Sequence, residues 1–194
     1  MRAYFEELLN DINHSIQTLN EQVFSQLVDE CVATLDRGNK VIVSGLGKNV
    51  SICDKFVGSM VSLGLNACFL NTNSAVHGDL GVVKDNDLVI LLTKSGETVE
   101  SIYLTQLLQE RCCHLWLLTF NDNSTLTKMI PNQLILSLRH EGDQWNIMPN
   151  NSSTLNLIVL QALAMQISIK MNIQLEEFKR NHPGGFIGET LRNE

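Results

Sequence analysis

Residues 88–98 read LVILLTKSGET. Leu88 to Leu92 form an unbroken apolar run, closed by the polar Thr93, Lys94 and Ser95 and then Gly96. A short continuous apolar run marks a strand buried on both faces, because a strand with one wet face would alternate. Residues 98–111 then carry helical periodicity. The same succession recurs along the chain. Residues 40–43 are an apolar run closed by SGLGK, with a helix expected over 48–63. Residues 67–70 lead into NTNSAVHGDLG, and further runs lie at 114–119 and 134–138. Repeated strand–helix crossovers predict an α/β fold, a five-stranded parallel sheet with helices on both faces. Helices are also expected over 2–18, 20–37, 152–171 and 174–181, with Gly38 as a C-cap. In such a sheet ligands bind off the carboxyl ends of the strands, where strand order reverses. The post-strand loops are therefore where chemistry is sought.

Composition narrows the classes. The chain has 194 residues, 44% hydrophobic, enough for one domain with a sizeable core. Residues 1–37 read as a helical extension packed on that domain. The net charge is −7, so no global basic field exists for nucleic acid or anionic lipid. An anionic ligand needs a local cradle. The start, MRAYFEELLNDINHS, carries acidic residues where a signal peptide needs an apolar run. LNLIVLQALAMQISI (155–169) is too short and too polar for a membrane span and reads as a buried helix. The five cysteines are odd in number and without CxxC spacing, which fits a reduced cytoplasm and no zinc site. No metal or cofactor is expected.

SGLGK (44–48) fails both glycine-rich fingerprints. A Walker loop needs GxxxxGK[ST], and a dinucleotide loop needs a third glycine where Val50 stands. Ser44, Gly45 and Lys48 with free backbone amides leave either a general anion-binding loop or a tight turn with a solvated lysine. TKSGET (93–98) brings hydroxyls, Gly96 and a helix start together, which suits a phosphate as well as an N-cap. Ser95, Gly96, Glu97 and Thr98 are the candidates there. His77 with Gly78 and Asp79 makes a polar corner after the second strand, and Glu141 follows the fifth. Asn151-Ser152-Ser153-Thr154 opens the apolar helix, as a cap or as a cradle wall.

Together SGLGK, AVHGDLG, KSGET with Glu100, the Glu141 region, PNNSST and NHPGGFIG resemble the sugar isomerase (SIS) domain. More closely they resemble the arabinose-5-phosphate isomerases, over about residues 38–190. The resemblance implies a flavodoxin-like fold, a homotetramer and reversible conversion of D-arabinose 5-phosphate to D-ribulose 5-phosphate, feeding 3-deoxy-D-manno-octulosonate (Kdo) synthesis for lipopolysaccharide or capsule. It implies a site at Lys48, Glu100, Glu141 and His182, with His77 a fifth position. Long members carry a pair of CBS domains after the HPGG segment; here none is expected. Asn49 and Lys94 depart from the expected pattern.

An aldose–ketose isomerase must anchor phosphate, move a proton between C1 and C2 and stabilise the enediolate. The anchor is assigned to Ser44, Ser95, Thr98 and nearby amides, with Ser152 and Ser153 lining it. Glu141 is the expected base, its pKa raised by partial desolvation. His182 and His77 are acid–base candidates, and Lys48 faces the oxyanion or the phosphate, with Glu100 as a candidate to orient it; the sequence does not order the two glutamates, and their roles are open to exchange. Pro183 holds His182 extended, and the segment FIGETLRNE reads as a docking piece that closes a neighbouring subunit's site. The rival readings are a SIS isomerase for sedoheptulose 7-phosphate or a hexulose 6-phosphate, a sugar-phosphate-binding regulator, and an assembly subunit.

Overall fold

The strands are β1 (Val41–Gly45), β2 (Ala67–Phe69), β3 (Leu88–Leu92), β4 (His114–Thr119) and β5 (Gln133–Ile135) in a computed structural model that describes residues 1–192. All pair in parallel, in the order β2-β1-β3-β4-β5. That order reverses direction between β1 and β3, which makes their carboxyl ends the switch point of a flavodoxin-like sheet.

Each apolar run sends alternate side chains to opposite faces, and both faces are covered. Val41, Val43, Leu88, Ile90, Leu92, Trp116 and Leu118 point to one side. There they meet α1 (Arg2–Gln17), α2 (Glu21–Asp36), α3 (Asn49–Ser62) and α7 (Asn151–Lys170). Ile12, Leu27, Val28 and Cys31 bring the first two helices into this core. Ile42, Val89, Leu91 and Leu117 point the other way, to α4 (Thr72–Ala75), α5 (Val99–Gln109) and α6 (Thr125–Met129). A 3-10 turn at Asp79–Val82 separates α4 from β3.

The helix α7 is apolar and long enough to cross a membrane by composition, but it packs against α1, α2 and α3. It is followed by α8 (Leu175–Asn181) and α9 (Gly185–Arg192). The docking segment expected at the end therefore begins as a helix, and its last two residues, 193 and 194, lie outside the described residues. The fifth strand is shorter than expected. After Ile135 one further ladder bond remains, from Leu136 N to Thr119 O, and the chain then turns under α1, where Ser15 Oγ donates to Ser137 O.

The opposite, amino edge of the sheet is pinned by Asp87. Its fully buried carboxylate accepts from Lys40 N at 3.0 Å, Lys40 Nζ at 2.7 Å and Lys84 N at 2.8 Å. Burial pushes this carboxyl up, but the Lys40 ammonium and the two amides hold it below the ordinary carboxylate range.

Candidate active site

A cavity of about 250 Å³ opens at the carboxyl ends of β1 and β3, at the switch point. Drug-sized pockets run to roughly 300–1,000 Å³, so this one suits a small ligand. The loops after β1 and β3 and the starts of α3, α5 and α7 wall it. The loop after β1 supplies Lys48, the start of α3 supplies Asn49, and the loop after β3 supplies Thr93, Lys94, Ser95 and Thr98. The start of α7 supplies Ser152, Ser153 and Asn156, and Ser101 of α5 completes the wall.

Helix starts converge here. α3 begins after Lys48 and α5 after Thr98, and neither has a side-chain cap. The first amides of a helix have no intrahelical acceptor, and the helix dipole adds partial positive charge; at α3 Asn49 N and Val50 N donate to Leu46 O and Gly47 O, so the amides turned to a ligand are those of α5. With the ammonium groups of Lys48 and Lys94 and the hydroxyls of Ser95, Thr98 and Ser101, the cavity is built to take an anion.

Glu141 departs from its expected role. Its carboxylate is 0% exposed and does not line the cavity. Oε1 accepts from Ser152 Oγ at 2.7 Å and pairs with Lys94 Nζ at 2.6 Å. Oε2 accepts from Ser152 N at 3.0 Å and Asn150 N at 3.1 Å. Burial pushes this carboxyl up, but Lys94 and Ser152 pull it further down, so it lies below the ordinary range rather than above it. Glu141 thus caps α7, whose own cap position, Asn150, makes no side-chain cap bond. It also holds the Lys94 ammonium.

Several expected anchors are used for structure instead. Ser44 is fully buried and shares a 2.9 Å hydrogen bond with Thr72 Oγ1, so its hydroxyl ties β1 to α4 rather than meeting a ligand. Glu97 accepts from Thr125 N at 2.8 Å and Thr125 Oγ1 at 2.7 Å, which caps α6 and lowers its pKa. Gly45 and Gly96 make room for protein, not phosphate. A Cβ on Gly45 would lie 2.7 Å from Asn49 Cβ, and one on Gly96 would lie 2.1 Å from Ser124 Oγ. Lys48, Ser95, Thr98, Ser152 and Ser153 do come together on the wall.

The remaining expected residues lie elsewhere in the chain. Glu100 is exposed on the first turn of α5, and among the described residues no ion pair joins it to Lys48. His77 is exposed in the loop after β2, at the same end of the sheet but off the wall. His182 is at the other pole. Its neighbour Asn181 donates to Ser62 O at the far end of α3, and a helix of that length spans about 21 Å. There Nδ1 of His182 lies 2.9 Å from Phe178 O, and the ring stacks on Phe178 at 3.9 Å. It therefore cannot reach the cavity of its own chain. Lys94, Asn49 and Asn156 were not legible as site residues. The one signal for Asn156 is an amide inside an otherwise apolar helix, where asparagine is a poor helix former.

The SIS domain family model matches residues 34–166. Arabinose 5-phosphate isomerase KdsD of Pseudomonas aeruginosa is 29% identical over 177 residues, 91% of this chain and 54% of that protein. Arabinose 5-phosphate isomerase KpsF of Escherichia coli is 35% identical over 151 residues, 78% of this chain and 48% of that protein. The chain spans about half the length of the curated relatives it matches. Among solved structures, c3406 of E. coli CFT073 in complex with arabinose 5-phosphate superposes with a TM-score of 0.86 at 27% identity, covering 94% of this chain and 95% of that one. With its sheet order, its switch-point cavity and a family match over residues 34–166, the chain belongs to the SIS domain family.

Proposed function

We propose that the protein is a sugar-phosphate aldose–ketose isomerase that interconverts D-arabinose 5-phosphate and D-ribulose 5-phosphate, supplying Kdo synthesis. The observation that carries this reading is the switch-point cavity, where the uncapped start of α5 and two lysines meet a row of hydroxyls. The names of KdsD and KpsF, and the arabinose 5-phosphate held by c3406, support the choice of substrate.

The phosphate sits at the start of α5, on Ser95, Thr98 and the first-turn amides, with Lys94 beside it. Lys48 faces the sugar's carbonyl end and stabilises the enediolate oxygen. In the forward direction a base takes the proton from C2, the electron pair forms the C1–C2 double bond, and the C1 carbonyl oxygen takes up a proton. The C2 hydroxyl proton is then lost as C2 becomes the ketone, and a proton returns to C1. Glu141 is unsuited as that base, because both of its oxygens are engaged and its pKa is lowered. It serves as a positioning residue. The base is Glu100, exposed on the first turn of α5 between Thr98 and Ser101 of the wall, and His182 of a neighbouring copy moves the hydroxyl protons. The distance between His182 and its own cavity supports a site shared between copies of a homotetramer.

The test is direct. Purified protein given arabinose 5-phosphate yields ribulose 5-phosphate, faster than it turns over sedoheptulose 7-phosphate or a hexulose 6-phosphate. Faster turnover of either alternative reassigns the substrate, and no turnover of any removes the enzyme reading.

A further inference from the structure

The cavity wall holds an acceptor that the protein leaves unused. Asn156 is 2% exposed, on the second turn of α7, and lines the cavity. Its Nδ2 donates to Oδ1 of Asn49 at 3.0 Å. Its Oδ1 is buried and has no hydrogen-bond partner. Of the buried side-chain atoms left unpaired among the described residues, the other two are Thr34 Oγ1 and Asn151 Oδ1, and neither residue lines this cavity. An unpaired buried acceptor is costly, and asparagine is a poor choice inside a helix. Both costs are offset if a ligand supplies the donor.

We propose that Asn156 and Asn49 form a hydroxyl-reading subsite. Asn156 Oδ1 accepts a hydrogen bond from one hydroxyl of the sugar chain, and Asn49, fixed at the start of α3, sets the rotation of the amide that presents it. The phosphate end is held by charge and helix amides, which are indifferent to the sugar. The amide pair supplies a neutral acceptor that an anion alone cannot use, so it reads the sugar and not the phosphate. A site built to bond a hydroxyl discriminates against the analogue that lacks it. This inference rests on the sugar-phosphate reading above.

The experiment is calorimetric binding of arabinose 5-phosphate, its 2-, 3- and 4-deoxy analogues and inorganic phosphate, to the wild-type protein and to Asn156→Leu. Arabinose 5-phosphate is expected to bind Asn156→Leu about 5- to 150-fold more weakly, while inorganic phosphate shifts less than about twofold. One deoxy analogue is expected to bind the wild-type protein about as weakly, and to lose little more on Asn156→Leu, because the two changes remove the same bond. Equal binding of all the deoxy analogues by the wild-type protein overturns the subsite, as does an equal loss for inorganic phosphate. If Asn156→Leu does not fold, the wild-type analogue series decides alone. If arabinose 5-phosphate does not bind the wild-type protein, the sugar-phosphate reading falls and the subsite with it. Binding of the parent sugar with no deoxy penalty removes the subsite only.

Discussion

Lys94 Nζ stands 2.6 Å from Oε1 of Glu141, joining the loop after β3 to the loop after β5 across the foot of α7. The carboxylate is 0% exposed while the lysine side chain is 43% exposed. The arrangement is a buried anchor with a cation held at the cavity wall. Glu141 also ties the Ser152 and Asn150 amides, so one carboxylate fixes both a charge and a helix start.

Removing that cation should therefore weaken anion binding more than it slows chemistry. Lys94→Met is expected to raise KM for the sugar phosphate by about 10- to 150-fold, the range for a lost charged hydrogen bond, with a smaller change in kcat. Steady-state kinetics at constant ionic strength check this. A large fall in kcat at unchanged KM would place Lys94 in the proton-transfer step instead.

Acid should loosen the fold through two buried carboxylates. Glu141 and Asp87 both have lowered pKa values in the folded chain. Their contribution to stability is complete above the unfolded carboxylate range, roughly pH 4, and is lost as pH falls through the folded values. Urea unfolding from pH 7 down to pH 3 should show stability falling in that window. Asp87→Asn should flatten part of the fall, and at pH 7 it should cost about 3 kcal/mol by leaving Lys40 without its partner. An unchanged profile in Asp87→Asn would show that Asp87 does not titrate as described.

Gly96 tests the loop that carries Ser95 and Thr98. It has φ +69°, and an added Cβ would meet Ser124 Oγ at 2.1 Å. Gly96→Ala should destabilise by about 2 kcal/mol or more, from the left-handed backbone and the clash together. Gly38, with φ +80° and nothing within 4 Å of its added Cβ, is the control. Gly38→Ala should cost about 1 kcal/mol, from the backbone alone. Equal losses would mean that the loop yields to the clash, and Ser124→Gly should recover part of the loss at Gly96.

A shared site predicts complementation. His182→Ala and Lys48→Met should each be nearly inactive as pure proteins. Co-expressed, they should form mixed assemblies in which about a quarter of the sites combine an intact Lys48 with an intact His182. Recovered activity well above the mean of the parents supports a site built across two copies. No recovery in mixed assemblies, shown to be mixed by mass spectrometry, would contradict it.

The sheet was legible because its strands are continuous apolar runs. β3 and β4 fall where LVILL and HLWLLT predict. The short helices were not legible, since α4 and α6 are too brief to show a period, and their signals are the caps Asn71 and Ser124. The cavity wall was legible in part. Lys48, Ser95, Thr98 and the Ser152–Ser153 pair follow from loop position alone. What sequence could not show is pairing across distance. Lys94 with Glu141, and Asn49 with Asn156, join loops and helices far apart in the chain, and those contacts settle which polar groups are spent on the fold. Ser44 and Glu97 were expected in the site for the same reason. Their partners, Thr72 and Thr125, are set by packing.

The central claim is proton transfer between C1 and C2 of a bound sugar phosphate. Proton NMR of arabinose 5-phosphate incubated with the protein in deuterium oxide tests it most directly. Ribulose 5-phosphate is expected to appear, with deuterium entering at C1 of the ketose and at C2 of the recovered aldose. Binding of arabinose 5-phosphate without ketose or deuterium exchange would contradict it, and would leave a protein that binds the sugar phosphate but does not isomerise it.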